Sequence, residues 1–100
     1  MNRIDITLTL SDDLPNWPGD RRPTIERLRD VQAGDGCSVT RLDSHVHCGT
    51  TLESLGNGAI VVEGLDLRAA PPDQYNLICL PVKLGDGDGA SVRAILESLA

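Results

Sequence analysis

The sequence predicts a mixed α/β domain of the α+β kind, with several β-strands followed by one C-terminal amphipathic helix. Three observations predict it. Ile4, Ile6, Leu8 and Leu10 alternate with Asp5, Thr7 and Thr9, the period-two pattern of a strand with one buried face. Two later apolar runs, around Ile60, Val61 and Val62 and around Leu77, Ile78, Leu80 and Val82, are bounded by Gly and Pro. Val92, Ile95, Leu96 and Leu99 fall on one helical stripe. At 100 residues the expectation is one domain, 1–100, with too little chain for two cores.

After the first strand, residues 11–23 carry Pro15, Pro18, Gly19 and Pro23, which lack donors or favour turns, so an irregular loop is expected with Trp17 in it. A lone Trp in such a loop either caps the core or lines a pocket. In residues 24–31, Ile25, Leu28 and Val31 suit a helix. The shortness of the segment and its flanking loops suit a charged edge strand, which is the reading adopted. Gly34-Asp35-Gly36 then turns the chain into a strand over 38–48. Thr40, Leu42, Ser44, Val46 and Cys48 share one face of it, and Val39, Arg41, Asp43, His45 and His47 the other. Residues 51–55 read as one helical turn capped by Thr51, 59–67 as a strand, and 75–84 as a central strand with apolar residues on both faces. The stretch Gly85-Asp86-Gly87-Asp88-Gly89 reads as a turn and N-cap for the final helix.

Composition narrows the function classes. Nine basic against fifteen acidic residues give a net charge of -6, which argues against a nucleic-acid backbone or an anionic membrane as partner. No apolar run is long enough for a membrane-spanning helix, and residues 1–3 lead into a strand-like segment instead of a signal peptide; a cytoplasmic location is expected. Cys37, Cys48 and Cys79 are odd in number and widely spaced, so reduced thiols are expected. With no Phe, one Trp and one Tyr, the core must come from aliphatic residues. A chain this short hides only about two-thirds of its unfolded surface, so a homo-oligomer, a dimer in the simplest case, is expected to supply missing burial.

Asp43-x-His45-x-His47 is the most suggestive local pattern, because alternate residues of a strand share a face and two imidazoles with a carboxylate can converge on zinc, manganese or a substrate. Same-face neighbours on one strand stand about 7 Å apart, so chelation needs a bend or ligands from elsewhere. The bland alternative is a solvated polar sheet face. The Gly-rich stretch lacks the Lys and spacing of a phosphate loop. It also fails as a calcium loop, since Ala90 has no side-chain oxygen. Cys48 beside His47 is a weak nucleophile candidate, because adjacent strand residues point to opposite faces.

Several blocks, in order, resemble the cyclase family, which includes kynurenine formamidases and isatin hydrolases. They are Asp5-Ile6-Thr7-Leu8, Leu14-Pro15-Asn16-Trp17-Pro18-Gly19-Asp20, Gly34 to Leu42, His47-Cys48-Gly49-Thr50, Ile60 to Leu67, Tyr75 to Leu84 and Asp88 to Leu96. The fourth resembles the start of the family's metal motif, His-x-Gly-Thr-His-x-Asp-x-Pro-x-His. Thr51 and Glu53 stand where that motif continues with His and Asp, and the later Pro and His are absent. The chain resembles both ends of the family joined near residues 50–54, without the central region.

The resemblance implies a reduced form of the family's β-sheet or barrel core, with His47 and Glu63 matching metal ligands. One His and one Glu are too few for a catalytic zinc, which usually has three protein ligands. The expectation is therefore either no cofactor or a divalent metal, zinc or manganese, completed from elsewhere. The function the resemblance implies is a small diverged enzyme acting on a small carbonyl-containing metabolite, by cyclisation, isomerisation or amide or lactone hydrolysis. His47 and Glu63 would be its acid/base pair, His45 would assist, and Trp17, Asp20 and Thr50 would bind substrate. The alternative is a non-catalytic relative that binds a ligand or a partner.

Overall fold

A computed structural model describes residues 2–15 and 18–99, so Trp17 lies outside the described residues. The chain divides into two compact units, Met1–Thr9 with Val46–Ala100, and Leu10–His45. The first is a five-stranded antiparallel sheet of β1 (Arg3–Asp5), β4 (Thr51–Ser54), β5 (Ile60–Glu63), β6 (Tyr75–Pro81) and β7 (Gly89–Ser98). The second is a hairpin of β2 (Thr24–Arg29) and β3 (Val39–Asp43).

The expected C-terminal helix is instead β7, the hub of the sheet, and no α-helix occurs among the described residues. Two periods overlap in this segment. Val92, Ile95 and Leu96 fit a helical stripe, but Ala90, Val92, Ala94 and Leu96 also alternate with Ser91, Arg93 and Glu97. Pairing decides between them: β7 takes β6 along one edge, from Val92↔Pro81 to Ser98↔Tyr75, and β4 and β1 in succession along the other. Ala90, Val92 and Ala94 are buried while Arg93 is exposed, as alternation requires. A helix would leave those neighbours' backbone groups without partners.

Between β1 and β4 the chain keeps β7 satisfied. Ile6 N–H donates to the Ala94 carbonyl at 3.0 Å and Val92 N–H to the Thr50 carbonyl at 3.0 Å. The Thr7 hydroxyl accepts from Ala94 N–H at 2.9 Å and donates to Ala94 O at 3.1 Å. Arg93 pairs with Asp5, whose carboxyl its guanidinium and the Thr7 groups hold down at about 2. Ile6, Cys48, Ala90, Val92 and Ala94 form this unit's core with the buried Thr50 and Thr51.

Three further expectations are corrected. Residues 51–54 form strand β4, not a helical turn, because β7 and β5 flank them on both edges. β6 pairs with β7 alone and is not a central strand; its apolar Leu77 and Leu80 are more than half exposed. The sheet is open, with β5 hydrogen-bonded only to β4, so no closed barrel forms among the described residues.

In the second unit the edge-strand reading of residues 24–31 holds over β2. Asp30 then caps a 3-10 turn at Val31–Ala33, accepting from Gln32 N–H at 2.9 Å, and Gly34 ends it at φ +100°. Leu14 and Pro23 are buried. β3 stops at Asp43, earlier than the sequence suggested. No helix among the described residues is long and apolar enough to cross a membrane.

Candidate functional site

His47 lies in the turn that leads into β4, beyond the end of β3, so Asp43, His45 and His47 do not form one strand face. Local backbone constraints fix that turn. Gly64, at φ +73°, has its α-carbon so close to the chain that a Cβ would lie 2.2 Å from the Gly49 carbonyl oxygen, and only glycine fits. Thr50 fastens the same place. Its hydroxyl accepts from Leu8 N–H at 2.9 Å and donates to the Gly64 carbonyl at 2.6 Å. The Thr50 hydroxyl, expected to meet substrate, is thus engaged by backbone on two sides and is buried.

The register brings acids to one face. Thr51 sits opposite Glu63 and Ser91, and Glu53 opposite Val61 and Gly89, so Thr51, Glu53 and Glu63 share a face. The His47 ring lies against it. Its Nδ1 is 3.6 Å from Glu53 Oε2 and its Nε2 is 3.0 Å from Asp88 Oδ2. Gly89 makes room for the ring, since a Cβ there would stand 3.1 Å from His47 Cε1. Asp88 is delivered by the Gly-rich loop before β7, in which Asp86 takes a left-handed φ of 54°.

The hydrogen bond to Asp88 holds the His47 imidazole above its ordinary 6.5, with help from the fields of Asp88, Glu53 and Glu63 and against modest desolvation. The same bond holds the Asp88 carboxyl below its usual range. Beside this pair runs an open groove of about 240 Å³, lined by Leu52, Ser54, Val82, Leu84, Asp88 and Ala90. Asp88 belongs to both the pair and the groove. The arrangement offers an imidazolium that can give up a proton, a carboxylate that orients it, and a small open recess with both polar and apolar lining.

His47 and Glu63 are thus brought into one neighbourhood, as the sequence suggested. His45 and Asp20 belong to the other unit, with His45 Nε2 3.9 Å from Asp20 Oδ2 and buried without a hydrogen bond. Asp43 pairs with Arg21 at 2.9 Å. Cys48 is buried in the core. Sequence reasoning missed Asp88, because the loop was read as a cap for a helix that does not form. It passed over Glu53, although that residue keeps a carboxylate at the motif's Asp position.

The donor set does not fit the divalent metal that the resemblance implies. Zinc takes the lone pair of a neutral imidazole, and both His47 nitrogens face carboxylates. Thr51, where the motif has its second His, offers a buried hydroxyl with no hydrogen-bond partner. Among the described residues no three His, Cys, Asp or Glu side chains are grouped to hold a metal ion.

With the fold and site in view, comparison with known proteins defines the class. No family model matches the chain. Curated relatives do. A kynurenine formamidase of Salinibacter ruber is 50% identical over 93 residues, covering 81% of this chain and 42% of that protein. Kynurenine formamidases of Maricaulis maris and Delftia acidovorans are 32% and 35% identical, over 84% and 77% of this chain and 44% and 38% of theirs. The chain belongs to the cyclase family and is similar to kynurenine formamidases. It spans about two-fifths of the length of these relatives.

Proposed function

We propose that this chain is a small cyclase-family enzyme that acts on a small carbonyl-containing molecule, with His47 as its acid/base catalyst. The observation that carries the proposal is the Asp88–His47 pair, at 3.0 Å, next to the groove. In the hydrolytic version, water attacks the carbonyl carbon of a formamide, amide or lactone and passes its proton to Glu63. As the bond to nitrogen or oxygen breaks, the His47 imidazolium protonates the leaving atom, and the Glu63 proton returns to His47 for the next turnover. Cyclisation or isomerisation uses the same two proton transfers without the water. Asp88 keeps the ring oriented and favours its charged form, as a carboxylate does for a catalytic imidazole.

A second reading, a ligand- or partner-binding relative without catalysis, has its own support. Thr51 stands where the family's motif has its second His, and Ile60 and Leu80 are 65% and 66% exposed. Apolar surface of this kind suits a second copy of the chain, in keeping with the expected homodimer, or another protein.

A panel of aryl formamides, lactones and cyclisable diketones, assayed with the native chain, His47→Ala and Glu63→Ala, tests the proposal. Turnover that falls at least 100-fold in His47→Ala is expected, in line with the usual contribution of a general acid. Turnover unchanged by both substitutions contradicts the site, and none by the native chain favours the binding reading.

A further inference from the structure

We propose that the Asp88 carboxylate holds the position a metal ion needs at His47, so that this site has no resident divalent cation. The inference does not depend on catalysis, since an ion pair in place of a metal stands whether or not the chain turns anything over.

Four observations meet here. His47 Nε2 faces Asp88 Oδ2 at 3.0 Å and Nδ1 faces Glu53 Oε2 at 3.6 Å, so neither nitrogen is turned towards an open donor cluster. Gly89 closes on the ring edge between those nitrogens, where a Cβ would stand 3.1 Å from Cε1. The position that supplies a second imidazole in the family's motif holds Thr51, fully buried, its hydroxyl without a hydrogen bond. The only other histidine, His45, has its Nε2 3.9 Å from Asp20 Oδ2. A divalent zinc site usually draws three protein ligands, with nitrogen or sulfur prominent among them. Here a single imidazole is hydrogen-bonded to one carboxylate and stands 3.6 Å from a second. The Gly-rich loop that carries Asp88 supplies negative charge, which stabilises a positively charged ring as no metal can.

The test uses the full chain and zinc chloride or manganese chloride alone. Ring-nitrogen NMR signals of His47, assigned with His47→Gln, are followed as each metal is added to an equimolar amount, with calorimetry in parallel. The expected result is no change in the His47 signals with zinc and no selective broadening of them with manganese. Any heat is then traced to another place, such as the thiols. In the metal-free chain, Asp88→Asn is expected to move the Nε2 signal. The proposal is overturned by one-to-one micromolar binding that shifts or broadens the His47 signals and is lost in Glu63→Gln. It is equally overturned if Asp88→Asn leaves the Nε2 signal in place. Because none of these readouts is turnover, a failure here is separable from a failure of the catalytic reading.

Discussion

The sheet around β7 and the β2–β3 hairpin are both antiparallel, yet they bury their residues very differently. β7 has partners on both edges and alternates buried small residues with half-buried or exposed ones. Every residue of β2 is exposed, including Ile25 and Leu28, and β3 leaves Val39 and Leu42 exposed as well. A two-stranded ribbon is marginal in water without a surface to cover it. The difference teaches where function can be held precisely: the His47 pair stands beside a strand that is paired along both edges, where backbone contacts fix each element.

The largest expected effect is at the closest approach in the β7 unit. Gly64→Ala must abandon a left-handed φ and overlaps the Gly49 carbonyl; a loss of about 3 kcal/mol in denaturant unfolding is expected, together with loss of the His47 geometry. Ala94→Leu, at a fully buried position of β7, is expected to cost about 1–3 kcal/mol by overpacking, read from the same unfolding curves. Thr50→Val keeps shape but removes the partner of Leu8 N–H, with about 1–2 kcal/mol lost.

Asp88→Asn should leave folding intact, because the group is exposed, and act on pH dependence instead. The native pair draws on a raised His47 and a lowered Asp88. What the raised imidazole adds is complete below 6.5, its ordinary value, and is lost as pH rises through its folded value. What the lowered carboxyl adds is complete above 3.8 and is lost as pH falls through its folded value. Activity that needs the imidazolium should therefore fall on the alkaline side, above 6.5, and Asp88→Asn should move that limb to lower pH. The smallest effect belongs to the hairpin: Leu42→Ser, half exposed, should stay within about 0.5 kcal/mol. A larger loss would show that the hairpin face is covered in solution and would erase the contrast.

The same contrast explains what was legible in the sequence. β1, β5 and β6 were readable because apolar alternation or apolar runs between Gly and Pro leave few other options. β7 was not, since Val92, Ile95 and Leu96 satisfy a helical period as well as a strand period, and only its three partners decide. That one misreading hid Asp88, which became a helix cap on paper and an imidazole's partner in space. His47 and Glu63 were found through the family motif, whereas Glu53 is placed at the ring by β4, a strand that local pattern alone presented as a helical turn.

The most direct measurement of the central claim is an NMR titration of the two histidines, assigned with His45→Gln. The account predicts a His47 midpoint above 6.5 in the native chain that falls in Asp88→Asn. A native His47 midpoint at or below 6.5, or one indifferent to Asp88, would contradict it.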